Sequence, residues 1–236
     1  MKTASRPATS VIYSVLSALL DYPEPSTQDA LPEARALLHA ARAFPPHVRT
    51  GLERFIDDYG QRDLMTLQER YVALFDRGRA TSLYLFEHVH GESRDRGQAM
   101  VDLLHMYEQH GLWLRQGELP DYLPVFLEYL SRLPESEACK LLAETGDILQ
   151  AITTRLSERG SRYRFVVAAL LSLAGLHVDV LPDHASTDDE ADAPPSPADF
   201  RALDAAYADE AVRFVGAQVP VTEPVHFYDR RPGRDR

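Results

Sequence analysis

The sequence predicts an all-α protein: a single compact helical bundle carrying an acidic flexible linker and a C-terminal tail. Three observations lead there. Apolar residues recur at three- and four-residue steps through most of the first 178 positions. Glycine is modest, 12 in 236 residues, and extended β-branched runs are few. The joins between periodic segments are short, as in bundles whose sequence neighbours are also spatial neighbours. A chain of 236 residues that is 44% hydrophobic suits one large domain with a substantial core.

The elements follow in order. The start, MKTASRPATSVIYSVLSALLDYP, imitates a secretory leader, a basic opening before an apolar run. However, Val11, Ile12, Val15, Leu16 and Leu19 share one helical face, with Ser14, Ser17 and Asp21 elsewhere. Pro23 and Pro25 then end the stretch without a small-residue cleavage pattern, so it reads as the first helix of a cytoplasmic protein. Segment 47–59 puts Val48, Leu52, Phe55, Ile56 and Tyr59 on one stripe, behind Pro45 and Pro46 at the helix start. Asp63 is placed to cap the next helix, along which Leu64, Leu67, Tyr71, Leu74 and Phe75 recur. Ser93 opens another, with Met100, Leu103, Leu104 and Tyr107 inward and Gly111 as its stop. Pro120 fits the first turn of LPDYLPVFLEYLSRL, which leaves Pro124 at a kink or just past a short first turn. Segment 136–158 carries Ala138, Leu141, Leu142, Ile148, Leu149, Ile152 and Leu156 at helical spacing. SRYRFVVAALLSLAGLH is apolar nearly all round and predicts a central, buried helix.

Beyond residue 178 the character changes. The stretch 179–197 is acidic, proline-rich and almost free of large apolar side chains, which predicts a linker. Residues 198–236 predict a short amphipathic helix, using Phe200, Leu203, Tyr207, Val212 and Phe214, and then an extended tail. The expected organisation is therefore a helical domain over 1–178, a linker over 179–197 and a tail over 198–236, with eight or nine helices in all.

Charge and composition narrow the function. Lys and Arg total 25 against 36 Asp and Glu, a net charge of −11. A surface this acidic repels a phosphate backbone, which argues against nucleic acid, and attracts a basic peptide. The one cysteine, Cys139, excludes a disulfide framework and a multi-cysteine metal site. No run approaches the roughly 18 apolar residues of a membrane span.

The densest chemistry lies in residues 75–100, FDRGRATSLYLFEHVHGESRDRGQAM. Metal binding there would rest on His88 and His90, which helical spacing turns nearly apart and strand spacing puts on one face. HExxH is absent, as are GxSxG, GxxxxGK[ST] and GxGxxG, so no nucleophile or phosphate loop is legible. A helical metal-dependent hydrolase using His88, His90 and nearby carboxylates stays as the rival reading. Recognition is the alternative. Tyr71, Phe75, Tyr84 and Phe86, together with Pro120, Tyr122, Pro124 and Phe126, offer apolar surface beside Glu118, Asp121 and Glu128. An acidic rim around an apolar groove suits an amphipathic basic helix.

The spans RYVALFDRGRATSLYLFEHVHGESRDRGQAMVDLLHMYEQHGL and ELPDYLPVFLEYL resemble the nitrate-reductase branch of the TorD/DmsD/NarJ family, the dedicated assembly chaperones of molybdoenzymes. The resemblance is strongest over residues 70–130. It implies an all-helical fold, no catalytic turnover and no cofactor of the chain's own. It implies a cytoplasmic chaperone that binds the N-terminal segment of the catalytic α subunit of respiratory nitrate reductase. Such a chaperone holds the apo-enzyme for molybdenum cofactor and iron–sulfur insertion before membrane docking, in reach of the cofactor-insertion machinery. A different molybdoenzyme as client is the alternative within this class. Carried over by position, Tyr71, Leu74 and Phe75 match a Y-x-x-L-F element that lines the peptide groove. Glu118, Pro120 and Asp121 match an E-x-P-D-H-like element, in which Tyr122 stands where other branches have histidine. His90, Gly91, Ser93, Arg94 and Arg96 match an HGxSRxR element, with the arginines expected to pair with carboxylates across the groove or to meet an acidic patch of the client. The expected peptide-binding set is Tyr71, Phe75, Tyr84, Glu87, His88, His90, Arg94, Glu118, Pro120, Asp121, Tyr122 and Glu128, with pH sensitivity through His88 and His90.

Overall fold

Burial of one central helix organises the molecule. The computed structural model describes residues 8–89, 94–115 and 117–178, with only the backbone described for Ala8 and Arg94. The expected linker and tail, together with His90, Gly91 and Ser93, lie outside the described residues.

Eleven α-helical segments occur among the described residues: α1 (Ala8–Leu20), α2 (Pro25–Asp29), α3 (Leu31–Ala40), α4 (Pro46–Gln61), α5 (Leu64–Tyr71), α6 (Leu85–Val89), α7 (Arg94–Gln109), α8 (Leu123–Leu130), α9 (Glu135–Glu144), α10 (Gly146–Glu158) and α11 (Tyr163–Leu173). The fold is all-α. Its only β-type pairing among the described residues is an isolated antiparallel bridge between Tyr84 and Tyr122. The number exceeds the expected eight or nine for definite reasons. Two of the helices, α2 and α6, are five residues long, too short to show a period. Segment 136–158 divides at Thr145, whose hydroxyl donates to the Leu142 carbonyl at 2.7 Å and closes α9.

Helix α11 is buried at every position from Tyr163 to Leu171 and packs against α10, α4, α1 and α9. Its all-round apolar character is what such a position requires. Helix α4 buries the expected stripe of Val48, Leu52, Phe55, Ile56 and Tyr59. It also buries Gly51, because an added Cβ there would lie 2.1 Å from a Phe165 ring carbon. The two helices cross where α4 has no side chain. Helix α1 packs against α8, and Ser17, expected off the apolar face, is buried at that contact. Its hydroxyl donates to the Pro124 carbonyl at 2.8 Å.

Three other expectations change. Asp63 does cap α5, accepting the Thr66 N–H at 3.0 Å, but the helix then widens into a π turn at Val72–Asp76. The Leu74 carbonyl in that turn accepts the Thr81 hydroxyl. Helix α7 is peripheral: Tyr107 alone of its expected inward residues is fully buried, while Met100, Leu103 and Leu104 are half-exposed. Finally, the proline-rich helix starts at Leu123, with Pro124 rather than Pro120 in its first turn. Leu119–Tyr122 stays outside it because this strip is bonded to residues 83–85.

Gly51→Ala should therefore destabilise the fold by about 1–3 kcal/mol, although alanine is the better helix former, because the added methyl overpacks the α4–α11 crossing. Urea unfolding checks this, and an unchanged midpoint would show that the crossing has slack.

Candidate functional site

Two motifs that are distant in sequence meet along a short extended contact. The Leu85 N–H donates to the Asp121 carbonyl at 2.9 Å, and the Leu123 N–H donates to the Leu83 carbonyl at 2.8 Å. Extended backbone sends successive side chains to opposite sides. Tyr122 therefore faces one way, stacked on Tyr84 with ring centroids 5.2 Å apart, and Asp121 faces the other.

On the tyrosine side lies an open groove of about 620 Å³. Tyr84, Tyr122 and Tyr129 form one wall, the end of α1 contributes Ser17 and Asp21, and the α7–α8 loop brings Trp113, Leu114 and Leu119. Two left-handed glycines, Gly111 (φ 74) and Gly117 (φ 96), shape that loop. It leaves Trp113 74% exposed and Leu119 43% exposed. The carboxylates lining the groove are Asp21, Glu118 and Glu128, and the guanidiniums are Arg115 and Arg132. The rim is thus mixed, with an acidic excess.

Beneath the groove runs a chain of hydroxyls. Tyr122 donates to Asp21 Oδ1 at 3.0 Å, its oxygen lies 2.7 Å from that of Tyr71, and Tyr71 donates to the Leu20 carbonyl at 2.9 Å. Burial, followed by the adjacent oxygens, pushes the Tyr71 phenol well above its ordinary range. Burial does the same for Tyr122. Both remain protonated at any physiological pH, so they act as donors and as structural ties between α1, α5 and the 119–122 strip.

The expected site residues divide accordingly. Tyr84, Tyr122, Glu118 and Glu128 line the groove. Tyr71 and Phe75 do not reach it. Each is 7% exposed, set in an aromatic cluster with Tyr22 and Tyr163. Pro120 is buried, and its carbonyl accepts the Tyr107 hydroxyl at 2.8 Å. Asp121 is a correction to the rim: it is 0% exposed. Its Oδ2 accepts the Phe86 N–H at 3.2 Å and lies 3.8 Å from Arg96, which is also 3.6 Å from Glu87. Its Oδ1 has no hydrogen-bond partner among the described residues. Desolvation raises its pKa, only partly opposed by the Phe86 N–H and the Arg96 charge. Glu87 is half-buried and faces Arg96 rather than the groove.

His88 is half-buried, with Nε2 2.9 Å from the Ser82 carbonyl. That contact requires a proton on Nε2, so this nitrogen is unavailable to a metal. His90 and the Arg94 side chain lie outside the described residues. Among the described residues no group of three or more His, Cys, Asp or Glu side chains is placed to hold a metal ion, and no helix is long and apolar enough to cross a membrane. Among the groove residues that the expected set did not include are Ser17, Asp21, Trp113, Leu114, Arg115, Leu119, Tyr129 and Arg132. The single tryptophan between two glycines was the one visible signal.

The profile of the family described as nitrate reductase delta subunit matches residues 24–169. The chain is 46% identical over 202 residues to the nitrate reductase molybdenum cofactor assembly chaperone NarJ of Escherichia coli (strain K12), covering 85% of this chain and 83% of that protein. It is 39% identical over 228 residues to the probable nitrate reductase molybdenum cofactor assembly chaperone NarW of the same organism, covering 95% and 93%. It is 31% identical over 172 residues to the probable NarJ of Bacillus subtilis (strain 168), covering 73% and 91%.

Tyr71→Phe should cost about 1–3 kcal/mol in urea unfolding, because it strands the buried Leu20 carbonyl. No loss would show that the hydroxyl chain holds nothing together. Asp121 makes a pH prediction. Its folded pKa is raised, so the folded state keeps the proton that the unfolded chain releases near pH 4, and the penalty for its charge grows as pH climbs through the folded value. The stability of Asp121→Asn relative to the native chain should accordingly improve from about pH 4 to 7. A difference independent of pH would mean that Asp121 titrates normally.

Proposed function

The chain belongs to the nitrate reductase delta subunit family, and from that premise we propose that it is an assembly chaperone, not an enzyme. Its client is nitrate reductase, held for insertion of the molybdenum cofactor. The names of the relatives support this reading.

The finer proposal concerns how the client is held. The groove receives the N-terminal segment of the catalytic α subunit as an amphipathic, basic helix. The carrying observation is the open 620 Å³ groove itself, tyrosine-walled, with exposed Trp113 and Leu119 on one side and carboxylates at its edge. Aromatic walls supply apolar area at low entropic cost, and their hydroxyls keep such a wall wettable when empty. Asp21, Glu118 and Glu128 steer and orient the basic face, while Arg115 and Arg132 take acidic or carbonyl groups of the peptide. Retention of the apo-enzyme in the cytoplasm through cofactor and iron–sulfur insertion completes the proposal.

Calorimetry with a synthetic α-subunit N-terminal peptide tests the groove. Glu118→Gln combined with Glu128→Gln should weaken binding about 5- to 30-fold and flatten its salt dependence. Tyr84→Ala should weaken it at all salt concentrations. Native affinity in both variants would place the peptide elsewhere on the chain.

A further inference from the structure

We propose that the groove reads one primary ammonium of its peptide, held by Asp21, and that this contact sets the peptide's register. The inference rests on the groove as the peptide site and adds which cation is recognised there, and where.

Asp21 follows the last turn of α1 directly, its N–H donating to the Ser17 carbonyl at 3.0 Å. The C-terminal end of a helix carries partial negative charge and favours a cation. The last turn of α1 has no basic residue, and the residue after it is an acid. Helix end and carboxylate thus put negative charge of two origins at one point of the groove lining. The two donors that reach the Asp21 side chain are both neutral, the Tyr22 N–H at 2.8 Å and the Tyr122 hydroxyl at 3.0 Å. Arg115 and Arg132 line the same groove, yet no ion pair among the described residues involves Asp21.

The placing of those donors selects the cation. Both reach Oδ1. A carboxylate oxygen offers two lone-pair sites, so Oδ1 is filled and Oδ2 remains open. A guanidinium fork grips a carboxylate by both oxygens at once. An ammonium needs only one oxygen, and its other hydrogens are free to meet water or carbonyls. The open oxygen therefore favours an ammonium over a guanidinium. Tyr122, with Tyr84 stacked on it at 5.2 Å between centroids, adds aromatic surface on which a compact cation is stabilised. Because Tyr122 belongs to the 119–122 strip, the pairing that builds the tyrosine wall also fixes the carboxylate. A polypeptide has two kinds of primary amine, its α-amine and its lysine side chains, and the chemistry at Oδ2 is the same for both.

The test is calorimetry on the full chain with the synthetic α-subunit N-terminal peptide in native form, with its α-amine acetylated, and with each lysine replaced in turn by norleucine. One of these changes should cost about tenfold in affinity for the native chain and less than about twofold for Asp21→Asn, which keeps the Oδ1 acceptor and loses the charge. Acetylation as that change identifies the α-amine, and a norleucine position identifies a lysine; either supports the site. Guanidination of the same amine keeps its charge and should still weaken binding several-fold. Should Asp21→Asn misfold, Asp21→Glu, whose carboxylate sits one methylene farther out, should likewise shrink the loss. Equal losses from every change in native and Asp21 variants, or a guanidinated peptide that binds as well as the native one, overturns the inference while leaving the groove reading intact, provided Tyr84→Ala still weakens binding. Native affinity in Tyr84→Ala and in Glu118→Gln with Glu128→Gln removes the groove reading and this inference with it.

Discussion

The short pairing of residues 83–85 with 121–123 is the constraint on which the rest of the site depends. Two backbone hydrogen bonds hold it, and they do what helix packing alone cannot: they set the register between two loops that start two different helices, α6 and α8. Because the strip is extended, its side chains alternate. Tyr122 is delivered to the groove and Asp121 to the interior by the same pairing, and neither could change sides without breaking it. The strip also explains why α8 starts at Leu123. The Asp121 carbonyl and the Leu123 N–H are already committed across the bridge, and Pro124 has no N–H to leave unmatched in the first turn.

Polar groups inside this molecule serve as fasteners. Asp121 is fully buried, yet it accepts the Phe86 N–H and lies beside Arg96, so α6 and α7 are tied to the base of α8 by one carboxylate. The hydroxyl chain from Asp21 through Tyr122 and Tyr71 to the Leu20 carbonyl ties α1 and α5 to the same strip. Buried polar chains of this kind specify one arrangement more sharply than apolar contacts do, because each misplacement leaves a donor or acceptor unmatched. The tyrosine wall of the proposed peptide groove is accordingly cross-tied, whereas the α7–α8 loop brings an exposed tryptophan to it.

Much of the helical framework was legible in the sequence. The stripe of α4, the Asp63 cap and the burial of α11 all follow from local periodicity and capping chemistry, which depend on neighbours three or four positions away. The short helices α2 and α6 were not legible, since five residues cannot display a period. The π turn after Tyr71 was not either, because helical spacing continued through Leu74 and Phe75 while the backbone widened. In the site, Tyr84, Tyr122, Glu118 and Glu128 could be identified as a motif-bearing group. The exchange of Asp121 for Asp21 as a groove carboxylate could not, since an aspartate beside a tyrosine reads as exposed until its backbone direction is known.

By itself the sequence determined the helical class, the central place of α11, the acidity of the chain and the motifs that place it in its family. These depend on composition, period and residue identity, all carried by local stretches. The tertiary structure alone decided which face of each motif meets solvent: Tyr71 and Phe75 inward, Tyr84 and Tyr122 outward, Asp121 sealed and Asp21 open. The reason is that orientation comes from hydrogen bonds and packing between segments tens of residues apart, and no local pattern encodes those partners.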